Sequence, residues 1–216
     1  MQRNRIIPIL TTSLAALAAT ASVASAASVT GTDSGERLVG TKAADSISAL
    51  GGNDRVFALN GADVVTAGEG NDLVVGGRGD DTLSGDAGND LLFANAGVDV
   101  LNGGDGNDRL WAVARADVVA GADGAADTVG DTLNGGAGND RLYARDGEAD
   151  TISCGDGTDV ANLDNADVIS DATAEAPNGS CEKVNRAEPK TRDANAVKEN
   201  LQQRVADIVA KLRGKR

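Results

Sequence analysis

An acidic residue returns at every ninth position through the first half of the chain: Glu36, Asp45, Asp54, Asp63, Asp72, Asp81, Asp90, Asp99, Asp108 and Asp117. The series slips at Asp127 and Asp131, then resumes at Asp140, Asp150, Asp159 and Asp167. Two positions after these acids stand Leu38, Ile47, Val56, Val65, Val74, Leu83, Leu92, Leu101, Leu110, Val119, Val129, Leu133, Leu142, Ile152, Ala161 and Ile169, all branched aliphatics except Ala161. A period that couples one acid to one aliphatic marks a stacked repeat, in which each copy buries its apolar residue against the next. Composition excludes an ordinary globular core, because aromatics are 2% of the chain and glycines number 28. A chain so poor in large side chains is either disordered or layered around a thin core, and the periodicity decides for layers.

Charge is segregated along the chain. Residues 27–185 hold 29 acidic against 9 basic residues, whereas 186–216 hold 4 against 9. A compact body with that acidic excess repels itself unless cations bind, and no nucleic-acid partner is expected of it. The chain has no His. That removes Ser-His-Asp and Cys-His catalysis and most catalytic zinc sites.

Glycines punctuate the stretch before each acid, as in Gly68-Glu69-Gly70-Asn71-Asp72, Gly76-Gly77-Arg78-Gly79-Asp80-Asp81, Gly103-Gly104-Asp105-Gly106-Asn107-Asp108 and Gly135-Gly136-Ala137-Gly138-Asn139-Asp140. Glycine at loop positions one, two and four permits positive φ and lets carbonyls turn toward a common centre. Carbonyls and carboxylates are the hard oxygen donors calcium prefers. In stacked turns about 4.8 Å apart the repeated acids face one another, and at about 5 Å with an effective dielectric near 20 each pair repels by roughly 3 kcal/mol. A divalent cation between them reverses that sign. One buried aliphatic per nine ordered residues falls short of the conformational entropy lost, so metal binding and folding are expected to be coupled.

These loops resemble the haemolysin-type, or RTX, calcium-binding repeat G-G-x-G-x-D-x-U-x, where U is a large aliphatic. The resemblance covers roughly residues 31–171. It implies an all-β fold, a parallel β-roll solenoid of 18-residue turns in which two repeats make one turn, each six-residue loop bends around calcium and each x-U-x forms a short strand. It also implies several Ca2+ ions. Carried over where the loop is intact, the ligands are Asp54, Asp63, Asp72, Asp81, Asp90, Asp99, Asp108, Asp140 and Asp159, with loop glycines Gly68, Gly70, Gly77, Gly79, Gly88, Gly104, Gly106, Gly136 and Gly138. Glu36, Asp45 (preceded by Ala43-Ala44) and Asp117 (preceded by Arg115-Ala116) lack the glycine that would let the loop close, which leaves their sites open. Many such proteins join the roll to a protease, lipase or pore-forming domain, for which this chain leaves no room, so toxin or hydrolase activity does not follow.

Other positions take simpler readings. Residues 121–134 are expected to form a surface loop, since Asp117 to Asp131 spans one repeat plus five residues. Asn53, Asn71, Asn89, Asn107 and Asn139, fifth in their loops, read as turn residues tolerant of the left-handed region rather than as ligands. Phe57, Phe93, Trp111 and Tyr143, ninth in their repeats, point outward by strand alternation and cover neighbouring turns, with a carbohydrate or partner contact as the alternative.

The ends differ from the body. Residues 1–26 read as an export signal, with basic Arg3 and Arg5, an apolar Ile6–Leu17 stretch and the cleavage site Ala24-Ser25-Ala26. No later segment is apolar enough to span a bilayer as a helix. Residues 27–171 form the roll, 172–189 a cap and linker, and 190–216 a basic amphipathic α-helix from about Asp193 to Leu212, with Val197, Leu201, Val205, Ile208 and Leu212 on one stripe. That helix could dock on the acidic roll, self-associate, or attach to an anionic cell-surface polymer. Cys154 and Cys181 are expected to form a disulfide that staples the cap, with a redox thiol pair as the competing idea. Taken together, the residues describe a secreted or cell-surface calcium-binding module without enzymatic activity. The alternatives are an adhesin or surface-layer component, and, from another class, a two-carboxylate glycoside hydrolase on the solenoid.

Overall fold

The computed structural model describes residues 25–112 and 130–187, apart from 175 and 177. The chain winds as a parallel β-solenoid, each turn giving one strand to each of two eight-stranded sheets. One sheet holds β1 (Ser28–Thr30), β3 (Ser46–Ser48), β5 (Val64–Glu69), β7 (Thr82–Ala87), β9 (Val100–Asp105), β11 (Thr132–Gly138), β13 (Thr151–Gly157) and β15 (Val168–Ile169) in that spatial order. The other holds β2 (Arg37–Val39), β4 (Arg55–Asn60), β6 (Leu73–Arg78), β8 (Leu91–Ala96), β10 (Arg109–Trp111), β12 (Arg141–Ala144), β14 (Val160–Leu163) and β16 (Lys183–Arg186). Strands β4 to β9 run six residues each, longer than the expected x-U-x. Their hydrogen bonding continues into the first half of each loop, where Gly68 pairs with Asp86 and Glu69 with Ala87.

The periodic aliphatics form two columns between the sheets. Val65, Leu83, Leu101, Leu133 and Ile152 stack in one, and Val56, Val74, Leu92, Leu110 and Leu142 in the other, all 0–1% exposed. Strand alternation buries a second residue two positions later, and it is small in Ala49, Ala58, Ala67, Ala94, Ala112 and Ala144, or Gly76, Gly85, Gly103 and Gly135, whereas in β14 the order inverts, with small Ala161 followed by Leu163. This inward place is loop position one. The expectation that its glycine serves positive φ is therefore corrected: Gly76, Gly85, Gly103 and Gly135 are absent from the positive-φ residues, and a Cβ on each would lie 2.5 Å from Oδ2 of the aspartate five positions on.

The outward rings behave as expected of a cover over neighbouring turns. Phe93 stacks on Trp111 at 4.5 Å between centroids, and Trp111 on Tyr143 at 5.0 Å. Phe57 lies outside this stack and takes the guanidinium of Arg37 over its face at 4.9 Å.

Cys154 and Cys181 are joined in a disulfide, which ties the buried start of a late loop to the segment leading into β16. The expected helix over 190–216 and nearly all of the export segment lie outside the described residues. Among the described residues no helix is long and apolar enough to cross a membrane.

Candidate metal centre

Two edges of the solenoid carry the loops, and successive repeats alternate between them. Loops ending at Asp54, Asp72, Asp90, Asp108, Asp140 and Asp159 line one edge; those ending at Asp45, Asp63, Asp81, Asp99, Asp131, Asp150 and Asp167 line the other. The G-x-G-N-D loops 68–72, 104–108 and 136–140 all fall on the first edge. Gly77 and Gly79 are on the second.

Each periodic aspartate closes its loop by turning its side chain under the preceding turn. The N–H of Asp54 donates to Oδ1 of Asp72, Asp72 to Asp90, Asp90 to Asp108, Asp108 to Asp140 and Asp140 to Asp159, at 2.7–2.8 Å. On the second edge the same bonds run from Asp45 to Asp63, Asp81, Asp99, Asp131 and Asp150, and on to Asp167 at 3.3 Å. The rung that the nine-residue count assigns to Asp117 is therefore held by Asp131, while Asp117 and Asp127 lie outside the described residues. Asp45, whose loop lacks glycine at positions two and four, is nonetheless a rung. Ala27 and Glu36 begin the two ladders by donating to Asp45 and Asp54, both at 2.6 Å.

Glu182 ends the first-edge ladder by accepting the N–H of Asp159 at 2.6 Å, and Val184 continues the aliphatic column beside Ala161. The count missed this unit because it falls 23 residues after Asp159. The acid-x-aliphatic spacing of Glu182-Lys183-Val184 was the signal that would have found it.

The loop backbone follows one pattern. Position two and position four have positive φ in Gly68, Gly70, Gly77, Gly79, Gly104, Gly106, Gly136 and Gly138, and position four in Gly88. Leu50, Leu59, Asp86 and Asn95 hold position two at φ of 67–88°, at the upper edge of the left-handed region or beyond it, and the glycines spread to still larger angles. Position four is stricter: a Cβ on Gly88 would overlap the carbonyl oxygen of Gly70, and one on Gly106 that of Gly88. The fifth-position asparagines are not in the left-handed region. They build a ladder of their own, Asn71, Asn89, Asn107 and Asn139 each donating a backbone N–H to the Oδ1 of the asparagine one turn earlier at 2.8–2.9 Å.

In nine of the periodic carboxylates one oxygen is thus satisfied and the other is not. Oδ2 of Asp54, Asp63, Asp72, Asp81, Asp90, Asp108, Asp140, Asp150 and Asp159 is buried without a hydrogen-bond partner. Burial, reinforced by the neighbouring carboxylates, raises Asp81 to about 8, Asp90 to about 7, Asp140 to about 6 and Asp150 to about 8 in the metal-free protein. Asp131 rises to about 9 for the same reasons. A buried, donorless oxygen on a group that resists ionisation requires a proton or a cation, and hard oxygen donors in loops whose backbone turns inward suit calcium. When bound, such ions neutralise the ladder. Asp99 lies in the same ladder, and Asp146, Glu148 and Asp150 bring one carboxylate oxygen each within 4.8 Å of one another in a loop the repeat motif does not describe.

A parallel solenoid edged with rows of buried carboxylates defines a repeat protein whose loops are built for cations. The chain belongs to the RTX calcium-binding nonapeptide repeat family, whose model matches residues 30–65, 57–92, 66–101, 75–110, 102–125 and 126–161. No curated protein and no solved structure matches the chain.

Proposed function

We propose that the protein is an extracellular calcium-binding module that folds when calcium fills the loops ending at Asp54, Asp63, Asp72, Asp81, Asp90, Asp99, Asp108, Asp140 and Asp159. The observation that supports this most directly is the row of buried Oδ2 atoms without donors. Its role is structural or interactive rather than catalytic: the periodic acids are engaged in the ladder, and among the described residues the outward strand faces carry no acid pair set apart from it. Export through residues 1–26 fits the first rung, because cleavage after Ala26 places the new amine where the N–H of Ala27 meets Oδ1 of Asp45 at 2.6 Å. The basic segment 190–216 is the part assigned to an anionic cell-surface polymer.

Calcium titration of the exported chain, followed by calorimetry and circular dichroism together, tests the reading. Uptake of several ions should coincide with the appearance of β-structure. A chain in chelator that keeps its full β-signal, or one that takes up no calcium, would refute it.

A further inference from the structure

The loop between β12 and β13 departs from every regular loop beside it. From Ala144 to Asp150 it takes seven residues where the others take six, and side-chain carboxylates stand in its middle: Asp146 and Glu148 flank Gly147, whose φ is 101°. Gly147 donates to Oδ2 of Asp164 at 2.8 Å and Glu148 to Oδ1 of Asp146 at 3.1 Å, so the loop is pinned from both sides. Arg145 directs its guanidinium elsewhere, to the carbonyls of Leu163 and Asn185 at 3.1 and 2.6 Å.

The consequence is three carboxylates gathered at one point. One oxygen each from Asp146, Glu148 and Asp150 lies within 4.8 Å of the others. That limit is about twice a calcium–oxygen bond, the widest separation two oxygens can have on a single calcium ion. Independently, Asp150 is fully buried, its Oδ1 is taken by the N–H of Asp131 at 2.7 Å, and its Oδ2 is buried with no hydrogen bond. A buried carboxylate oxygen with no donor, beside two more carboxylates, calls for a proton or a cation, and three carboxylates at one point favour the cation near neutral pH.

We propose that Asp146, Glu148 and Asp150 hold a divalent cation, calcium by its all-oxygen donor set, in a site made of carboxylates rather than the loop carbonyls of the regular repeats. The assignment rests on the calcium reading above and adds a site of different composition to it. It also explains why the second edge keeps its stacking here, where position-two and position-four glycines have given way and the loop before it is 14 residues longer than a regular one, as the 32-residue step from Asp99 to Asp131 against the usual 18 shows.

The test counts ions. Native mass spectrometry of the full chain in calcium should find one ion fewer in the double variant Asp146→Asn/Glu148→Gln than in the wild type, with the β-signal unchanged. Equal counts would overturn this site and leave the regular loops standing. A wild type without calcium would overturn both readings. Should the double variant lose its β-signal, Glu148→Gln alone decides, because that side chain is partly in solvent. Terbium emission sensitised through Tyr143, next to the loop, should then show at least tenfold weaker binding, and unchanged terbium binding would reject the proposal.

Discussion

The amide of Asp99 donates to Oδ1 of Asp131 at 2.8 Å across 32 residues, the same bond that joins rungs 18 residues apart elsewhere. The register therefore survives the extra segment intact. Replacing residues 113–130 with the four residues of 136–139 should give a regular loop between Ala112 and Asp131. Closure entropy changes by about 0.6 kcal/mol per doubling of loop length, so the variant should gain about 1 kcal/mol in urea denaturation with calcium present. Loss of the β-signal would show that the segment does more than bridge.

Without calcium, stability should fall as pH rises. Aspartate in the unfolded chain titrates near 3.8, while in the fold Asp90 is raised to about 7, Asp81 and Asp150 to about 8 and Asp131 to about 9. A raised carboxyl contributes stability that is complete below the unfolded value and lost as pH climbs through the folded one. In chelator, ellipticity should therefore report more β-structure at acid pH than above about pH 8. Greater order on the alkaline side would contradict the burial of these groups.

Asp90→Asn should act with opposite sign in the two states. In chelator the variant removes a buried charge that stands between Asp72 and Asp108, and its melting temperature should rise. In saturating calcium it loses a ligand oxygen and should melt lower than the wild type. A shift in the same direction under both conditions would separate this side chain from metal binding.

Glycines at two loop positions should respond differently to alanine. Gly88→Ala at position four places a Cβ on the carbonyl of Gly70 with φ at 142°, and should cost about 1–3 kcal/mol in denaturation with calcium. Gly85→Ala at position one puts its Cβ 2.5 Å from Oδ2 of Asp90, at a place that Ala67 and Ala94 already occupy in other repeats. It also meets the carbonyl oxygen of Gly103 at 2.6 Å, but with no positive φ to hold, it should cost less than Gly88→Ala. Equal penalties would mean that the two positions are not distinguished by backbone conformation.

Removing the disulfide by Cys154→Ala/Cys181→Ala opens a link between residues 27 positions apart, and should cost about 3–4 kcal/mol. Limited proteolysis should then cut first between β15 and β16. A first cut among the turns before β10 would mean the staple does not govern this end.

Much of the fold was legible because one period encodes two things. The spacing of Asp45 to Asp108 carried the ladder, and the aliphatic two positions on carried the core. The count failed between Ala112 and Asp131, where the step between rungs is 32 residues, so Asp117 stood in the series where Asp131 completes the rung, and it stopped before Glu182 and Val184. Nor could a linear count reveal that alternate repeats occupy opposite edges, which collects the asparagines into their own ladder. Asp146 and Glu148 escaped notice because they sit at neither the acid position nor a glycine position, and proximity to Asp150 appears only once the seven-residue loop is folded.

The aspartate ladder also has a direction. Along each edge a rung's amide is satisfied by the carboxylate one turn nearer the C-terminus, so each turn is completed by its successor, with Glu182 completing the first edge and Asp167 closing the second. A chain emerging N-terminus first is consequently short of an acceptor at its newest turn until the final one arrives. Each added turn therefore seals the one before it and leaves a single open amide on its own edge, a growing end that only the following turn can close.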